Sequence, residues 1–419
     1  MAHADQITHS PTIRDIVRRF YTVWWMYAFA GGFLNGVYPV FLHSRGLSQL
    51  QVNSILTTYF VVILLTEVPT GAFADAFGRR LSFVVGMVLR SIAFGLYFFS
   101  YTYVGFIVAE SIDAIGTTFI SGSIDAWGVD ALDDAGYAEV KDRLFSRVMQ
   151  FMNVGFTAAA IIGAYVAVID ISYPWMLGAV GYMVTAFVGA RLMREGKGPQ
   201  GGFKLRSIPS LVATQISISV RYGFANRAVL LLSAASAVGM AAWSPYWLEW
   251  PILLTGDYGQ AVWVVGWVFA LLTFARVAGS EIVMRLPQSR QARPARVAML
   301  VAGAAAMFFV AGLFGAHPIV TFSLLVAMNA LNGAMQPLTM SWLNEHIDSA
   351  RRATLLSFNS SFAMFGGSIG LLISGYVVDR ASIPAAWQLG GVIALGAIPF
   401  YLALRAYAPA QTVAARVAD

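Results

Sequence analysis

Cysteine is absent from the 419 residues, which excludes disulfides, thiolate metal sites and iron–sulfur clusters while leaving the compartment open. Charge is scarce as well. Asp, Glu, Lys and Arg together make up 11% of the chain, against about a quarter in soluble domains. Hydrophobic types fill 58% of it, and the mean hydropathy is +0.68. No soluble fold of this size hides so much apolar surface, so the chain is expected to cross a membrane many times. The five histidines (His3, His9, His43, His317 and His346) are scattered and lack metal-ligand spacing, so neither a metal nor another cofactor is expected. Gly196-Lys197-Gly198 lacks the glycine spacing and the Ser/Thr of a P-loop, which leaves no sign of an ATPase. Glu110 and Asp113 are a carboxylate pair, but nothing else points to hydrolysis, and an enzyme is not expected.

What the chain does have is a series of unbroken apolar runs of about 20 residues, too continuous for the alternating strands of a membrane barrel. In hydrocarbon each backbone group must be bonded within its own segment, so the runs are predicted to be helices. Twelve are expected, over 20–43, 50–74, 81–100, 102–128, 144–168, 172–192, 227–254, 260–284, 296–315, 318–343, 354–378 and 384–406. Residues 1–19 are polar, carry Arg14, Arg18 and Arg19, and lead into the first run with no small-residue cleavage site, so they read as a cytoplasmic N-terminal segment rather than a cleaved signal. Of the 27 Lys and Arg, Arg45 and Arg380 fall on the far side, Arg90 and Arg276 fall within spans, and the other 23 fall on the side of the N-terminus. That asymmetry predicts both termini in the cytoplasm of a multi-pass protein of the inner cell membrane. The net charge of +6 is then topological. Its partner is the anionic lipid bilayer and not nucleic acid.

Residues 194–226 form the one long polar connection and divide the spans six and six. Within it, 208–222 reads either as a short amphipathic helix on the membrane surface or as flexible linker. The expected domains are thus a bundle at 20–193, the linker, a second bundle at 227–408 and a cytoplasmic tail at 409–419. An internal repeat joins the bundles. At an offset of 211, Gly122, Phe151, Gly155, Ile162, Tyr165 and Val166 match Gly333, Phe362, Gly366, Ile373, Tyr376 and Val377; near 206, Pro39, Phe41 and Leu42 answer Pro245, Trp247 and Leu248.

Between the second and third runs lies Gly71-Ala-Phe-Ala-Asp75-Ala-Phe-Gly78-Arg79-Arg80. This segment, the twelve runs and the mid-chain loop together resemble the major facilitator superfamily of secondary transporters, over nearly the whole chain. The resemblance implies two pseudo-symmetric six-helix bundles working by alternating access, here as a monomer. It also implies that the 71–80 loop is a gate, with Asp75 near the start of the eleventh helix at Ala353 and Thr354, and the basic end (Arg79 and Arg80) bridging to Asp125 low on the fourth. A carboxylate beside a helix N-terminus gains roughly 0.3–1 kcal/mol, a modest and breakable term that suits a gate. The matching segment of the second half, Gly279 to Leu286, keeps the glycine but loses the Asp and Gly-Arg-Arg.

Four charges fall inside the first bundle: Glu67, Arg90, Glu110 and Asp113. Each costs roughly 2.5–3.5 kcal/mol at mid-bilayer, so they imply pairing or a wet cavity. Counting inward, Arg90 and Asp113 both lie about 15 Å deep, and Glu110 shares a helix face with Asp113. A cluster of Arg90 with Asp113 or Glu110 follows. Two acids for one arginine leave one carboxyl to exchange a proton with solvent; the alternative is a fixed structural bridge. Glu67, two residues before Pro69, reads as either a gating or a coupling acid.

The second bundle is less charged. Its seventh span carries Trp243-Ser-Pro245-Tyr246-Trp247-Leu-Glu249-Trp250-Pro251. Trp250 reads as an interfacial belt residue, while Trp243 and Tyr246 are deeper candidates for a cavity wall. Asn35, Tyr38, Gln150, Asn153, Asn329, Asn332, Gln336 and Asn359 are polar positions in helices that line the pathway in this family. Each is equally well read as an interhelical hydrogen bond.

Within the family, Glu110 to Ala131 resembles the fourth helix of macrolide-type drug exporters. That implies proton-driven efflux of amphiphilic small molecules. The chain departs from proton antiporters of that kind in having acids where they carry a helix-4 arginine, and in lacking a Gly-Pro-x-x-Gly-Gly signature between Gly155 and Gly163. The alternative is a carrier of one metabolite, such as a siderophore, sugar or organic acid.

Overall fold

The computed structural model describes residues 11–137, 142–194, 217, 221–287, 292–346 and 352–407. The N-terminal ten residues, most of the linker and the tail expected at 409–419 lie outside the described residues, as does most of the candidate surface helix at 208–222. Every regular element described is helical, and eleven helices are long and apolar enough to cross a membrane. The expected first span is helical too, as α1 (Pro11–Gly32) and α2 (Val37–Ser44). A turn breaks it at Phe33–Gly36, where Gly36 takes a φ of 80°.

The remaining helices follow the apolar runs. They are α3 (Gln49–Phe77), α4 (Arg79–Phe99), α5 (Tyr103–Ile120), α6 (Ser123–Asp134), α7 (Asp142–Val166) and α8 (Tyr173–Leu192) in the first half. The second half has α9 (Arg227–Trp243), α10 (Tyr246–Ile252), α11 (Trp263–Arg285), α12 (Arg293–Leu313), α13 (Pro318–His346), α14 (Arg352–Arg380), α15 (Ile383–Leu395) and α16 (Ile398–Ala403). Local chemistry sets the ends. Ser48 and Gln51 form a capping box that starts α3, and Thr102 and Asn226 cap α5 and α9. Gly78 stands between α3 and α4 with φ 99° and ψ 152°, a conformation strained for any residue with a Cβ, so the reversal needs glycine.

Three more expected spans are interrupted. The fourth breaks at Ser121-Gly122 between α5 and α6, the seventh at Ser244-Pro245 between α9 and α10, and the twelfth at Gly396-Ala397 between α15 and α16. Pro245 has no N–H to continue α9, and in a continuing helix its ring would clash with the carbonyl four residues back, that of Ala241. After α10 the chain takes a π-helical turn, Leu253–Asp257.

The described residues divide into two compact units, one within Met1–Gln215 and Trp247–Ala270, the other within Ile216–Tyr246 and Leu271–Asp419. In the first, α1 lies on α7, and α4 lies on both α5 and α8. In the second, α9 lies on α14, and α12 lies on both α13 and α15. These are the same pairings one half-chain apart, so the repeat seen in the sequence recurs in the helix neighbours. Close approach accompanies them: a methyl on Gly366 of α14 would fall on the Ala237 carbonyl of α9. Trp247–Ala270 belongs to the first unit because glycine again lets backbones meet, with Gly266 lying on Ala160 and Ile161 of α7. Trp263 stacks on Tyr165 at 5.7 Å, and Trp267 Nε1 donates to the Tyr165 hydroxyl at 3.1 Å. Outward-facing side chains such as Phe99, Phe274 and Ile319 are large, apolar and exposed, as lipid-facing positions must be.

Candidate functional site

Three of the four charges inside the first bundle, Arg90, Glu110 and Asp113, lie where α4 crosses α5. Gly86 and Gly116 face each other there, and a Cβ on either would strike the other's carbonyl. That approach brings the Arg90 side chain onto Asp113. Arg90 Nε donates to Asp113 Oδ1 at 2.8 Å and Nη2 to Oδ2 at 3.1 Å, a bidentate pair that fixes the guanidinium plane. Nη1 donates to the Tyr27 hydroxyl at 2.9 Å, and the guanidinium lies 4.6 Å from the centre of the Tyr182 ring. Arg90 is 9% exposed and Asp113 6%, so this is an ion pair out of solvent, held by aromatic faces as well as by charge.

Glu110 lies one turn towards the N-terminal end of α5, is buried, and takes no part in that pair. Its Oε2 accepts a hydrogen bond from the Tyr97 hydroxyl of α4. Tyr97 is pressed flat on Trp175, with ring centres 3.9 Å apart and planes 6° apart, and its hydroxyl is 3.4 Å from that of Tyr38 on α2. The expected cluster therefore resolves into two parts: Arg90 with Asp113, and Glu110 with tyrosines.

Both parts open on a cavity of about 370 Å³ within the first unit. Asn35, Tyr38, Arg90, Glu110 and Asp113 line it. Leu34, Leu56, Tyr59, Phe94, Trp175, Trp247, Leu248, Trp250 and Phe269 make the rest of the wall largely aromatic and apolar. One expectation about span seven is overturned here. Trp250 is fully buried in this wall and is not an interfacial belt residue. Trp243 and Tyr246 are not in the wall. The break at Pro245 restarts the helix, so α10 turns Trp247, Leu248 and Trp250 to the cavity instead.

Tyr246 is bound in the second unit, where its hydroxyl accepts from Asn329 Nδ2 at 2.8 Å. Its ring meets Phe308 edge-on, and Trp243 packs on the same Phe308. Asn359 Oδ1 accepts from Ser236 at 3.1 Å and Ser233 at 3.4 Å. For Asn329 and Asn359 the interhelical hydrogen bond is thus the observed role. Gln150 and Gln336 are exposed, Asn153 and Asn332 half-buried, and none of the four lines the cavity. Glu67 is exposed on α3 away from the cavity wall.

In the 71–80 segment, Asp75 pairs with Arg79 at 2.7 Å. Gly78 turns the chain so that Arg79 comes back over the last turn of α3, and Arg80 is exposed beside it. Asp125 has a different partner from the arginine expected. Its Oδ1 accepts from Trp24 Nε1 of α1 at 3.2 Å, because α6 starts afresh after Gly122 and presents its first turn to α1.

A helical membrane protein with two units of like helix pairing, one enclosing a buried ion pair at a cavity wall, has the architecture of a membrane carrier. The chain belongs to the Major Facilitator Superfamily, whose sequence profile matches residues 21–248 and 232–418. It is a secondary transporter and not an enzyme. It is similar to the uncharacterized MFS-type transporter YxaM of Bacillus subtilis, at 22% identity over 387 residues, covering 90% of this chain and 92% of that one. Multidrug resistance protein 1 of the same organism is also similar, at 22% over 366 residues, covering 84% and 87%. Among solved structures, the nucleoside transporter NupG superposes with a TM-score of 0.73 at 12% identity over 93% of this chain and 98% of that one. A peptide transporter, POT, gives 0.69 at 15% over 96% and 94%. At these identities the structural likeness is one of fold.

Proposed function

We propose that the protein exports amphiphilic small molecules in exchange for protons, by alternating access, as a monomer in the inner cell membrane with both termini cytoplasmic. The observation that carries this reading is the wall of the cavity, where a buried Arg90–Asp113 ion pair and a second buried carboxyl, Glu110, lie among aromatic side chains. Arg90 and Asp113 neutralise each other in a bidentate pair, so Glu110 is the carboxyl that loads and releases a proton. The aromatic surface supplies area for an apolar substrate, with Asn35 and Tyr38 as polar contacts. Gly71, Asp75, Gly78, Arg79, Arg80 and Asp125 act as the gate at the cytoplasmic end, Asp75 engaging the amides that open the eleventh span, and Glu67 beside Pro69 moves with it. The bundles at 20–193 and 227–408 rock about the linker at 194–226. Similarity to a relative named for multidrug resistance supports the direction and the substrate class.

One observation favours a second reading. A cavity of about 370 Å³ lies at the small end of the roughly 300–1,000 Å³ range of ligand pockets. That suits a single compact metabolite better than a macrolide.

Everted vesicles containing the protein and a pH-sensitive dye separate the two. Lipophilic cations, macrolides and a panel of metabolites are added in turn, for wild type, Glu110→Gln and Asp113→Asn. Proton release evoked by amphiphiles and lost in Glu110→Gln is the expected result. Response to one metabolite alone selects the second reading, and silence throughout removes proton coupling.

A further inference from the structure

Glu110, Tyr97 and Tyr38 form a chain of three oxygen-bearing groups that ends in the cavity wall. We infer that this chain makes the Tyr38 hydroxyl a hydrogen-bond acceptor towards the cavity when Glu110 is ionised and a donor when Glu110 is protonated, so that proton loading reverses what the site offers a ligand. This rests on the reading of Glu110 as the exchanging carboxyl.

The argument is a count of protons. With Glu110 ionised the chain holds two, the hydroxyl hydrogens of Tyr97 and Tyr38. Its two contacts consume both: Tyr97 donates to the carboxylate, and Tyr38 donates to Tyr97. The Tyr38 oxygen then turns only lone pairs to the cavity. One added proton makes three for the same two contacts. In the arrangement we infer, the proton sits on Oε2, the oxygen that faces Tyr97, so Glu110 donates to Tyr97, Tyr97 donates to Tyr38, and the surplus O–H emerges at Tyr38. A proton on Oε1 would leave both tyrosines unmoved. No atom is gained or lost besides the proton that Glu110 takes up.

Geometry keeps the chain from dissolving into other bonds. Tyr97 is fully buried between the Trp175 and Phe106 rings, at 3.9 Å and 5.4 Å, so it cannot swing away from Glu110. It acts as a positioning residue. The other ionisable groups around Glu110 are committed elsewhere. Asp113 on its own helix and Arg90 on α4 hold each other, Tyr59 of α3 donates to Thr117 at 3.1 Å, and Tyr27 of α1 and Tyr182 of α8 enclose Arg90.

The chemistry this selects is a cation bearing N–H groups. It gains a charge-assisted acceptor while Glu110 is ionised and meets a competing donor once the proton is loaded.

The test has two arms on the purified full-length protein in nanodiscs. First, acid-minus-alkaline infrared difference spectra are recorded without ligand. We expect a carboxylic C=O band that is absent in Glu110→Gln and displaced in Tyr97→Phe, accompanied by a tyrosine C–O shift from donor to acceptor character that is lost in Tyr38→Phe. Tyrosine bands unmoved while the carboxyl titrates would leave the surplus proton on Glu110 and overturn the inference. Second, binding of ethidium, a permanent cation with N–H donors, is compared with tetraphenylphosphonium, which has none. Acidification should weaken ethidium by roughly threefold or more beyond the loss seen for tetraphenylphosphonium, about one hydrogen bond's worth, and Tyr38→Phe should erase that excess. An excess that survives in Tyr38→Phe also overturns it. Failure of both cations to bind sinks the amphiphile reading alone, since the infrared arm still decides the switch.

Discussion

The two halves of the chain share their helix pairings and differ in what those pairings enclose. In the first, α4 and α5 bury an arginine and two acids. At the offset of 211 that aligns Gly122 with Gly333, Arg90, Glu110 and Asp113 fall on Val301, Thr321 and Leu324. Val301 and Thr321 are buried, and the Thr321 hydroxyl is spent on the Phe314 carbonyl. The named polar contacts of the second half are neutral: Tyr246 with Asn329, and Asn359 with Ser233 and Ser236. A repeated scaffold has kept its backbone contacts, and among the described residues the buried bidentate ion pair with a second carboxyl beside it lies in the first half. Neutral hydrogen bonds hold helices together in either protonation state of the cell, whereas a buried ion pair plus a spare carboxyl responds to protons.

The largest expected effect breaks the ionic side. Arg90→Ala leaves the Asp113 carboxylate buried beside Glu110 with no cation. Removing one partner of a buried pair costs about 3–5 kcal/mol, so we expect a large fall in the melting temperature and no transport. Asn329→Ala removes only a neutral donor from the Tyr246 hydroxyl, at a cost of about 1–3 kcal/mol, and should leave proton coupling intact. Thermal melts followed by tryptophan fluorescence, read beside the vesicle assay, make the comparison. Equal losses in both variants would mean that the charges serve as ordinary helix ties. Gly366→Val should cost about as much as Asn329→Ala, since a branched side chain would meet the Ala237 backbone and overpacking costs about 1–3 kcal/mol.

Asp75→Asn separates function from stability. The Asp75–Arg79 pair is largely exposed, and exposed pairs contribute about 1 kcal/mol at most. We expect expression and melting to match wild type while transport slows. Unchanged transport rates would remove the gate. Asp125→Asn probes the other partner of the motif. Its contact is with Trp24 rather than with an arginine, so pairing it with Arg79→Gln should give additive losses; non-additive ones would restore the bridge that the sequence suggested.

Much of this was legible in the residues. Apolar run length gave the helices, and depth counting put Arg90 and Asp113 at one level, because rise per residue is the same in every straight helix. The failures come where helices are not straight. Pro245 changes the register of span seven, so the side chains chosen from an unbroken helix, Trp243 and Tyr246, miss the cavity, while Trp247 and Trp250 reach it. Ser244-Pro245 was the available warning. Gly122 resets α6 in the same way and gives Asp125 to Trp24. Tyr97 left no local signature at all: its role follows from the flat contact with Trp175, nearly 80 residues away in the chain. Of the polar positions in the second half, type alone could not tell a pathway from a helix tie, since an amide serves either.

The smallest effect contrasts two interhelical turns, one in each half. Between α7 and α8 the Asp170 carboxylate accepts from the Ser172 N–H at 2.8 Å, and that bond, with the Ser172 hydroxyl and nearby Arg45, holds its pKa below the usual carboxylate value. Between α14 and α15, Ser382 accepts from the Ala385 N–H at 3.2 Å with no charge involved. A depressed folded pKa stabilises above the unfolded pKa, and that contribution is lost as pH falls through the folded value. Asp170→Asn should therefore lower the melting temperature slightly at neutral pH, and its difference from wild type should vanish in acid. Since Asp170 is almost fully solvated, the effect should amount to a few tenths of a kcal/mol at most. Ser382→Ala should cost about 1 kcal/mol, equally at both pH values. If instead the two differences ran parallel with pH, the charge on Asp170 would be irrelevant, and the asymmetry between the halves would be confined to the buried cluster.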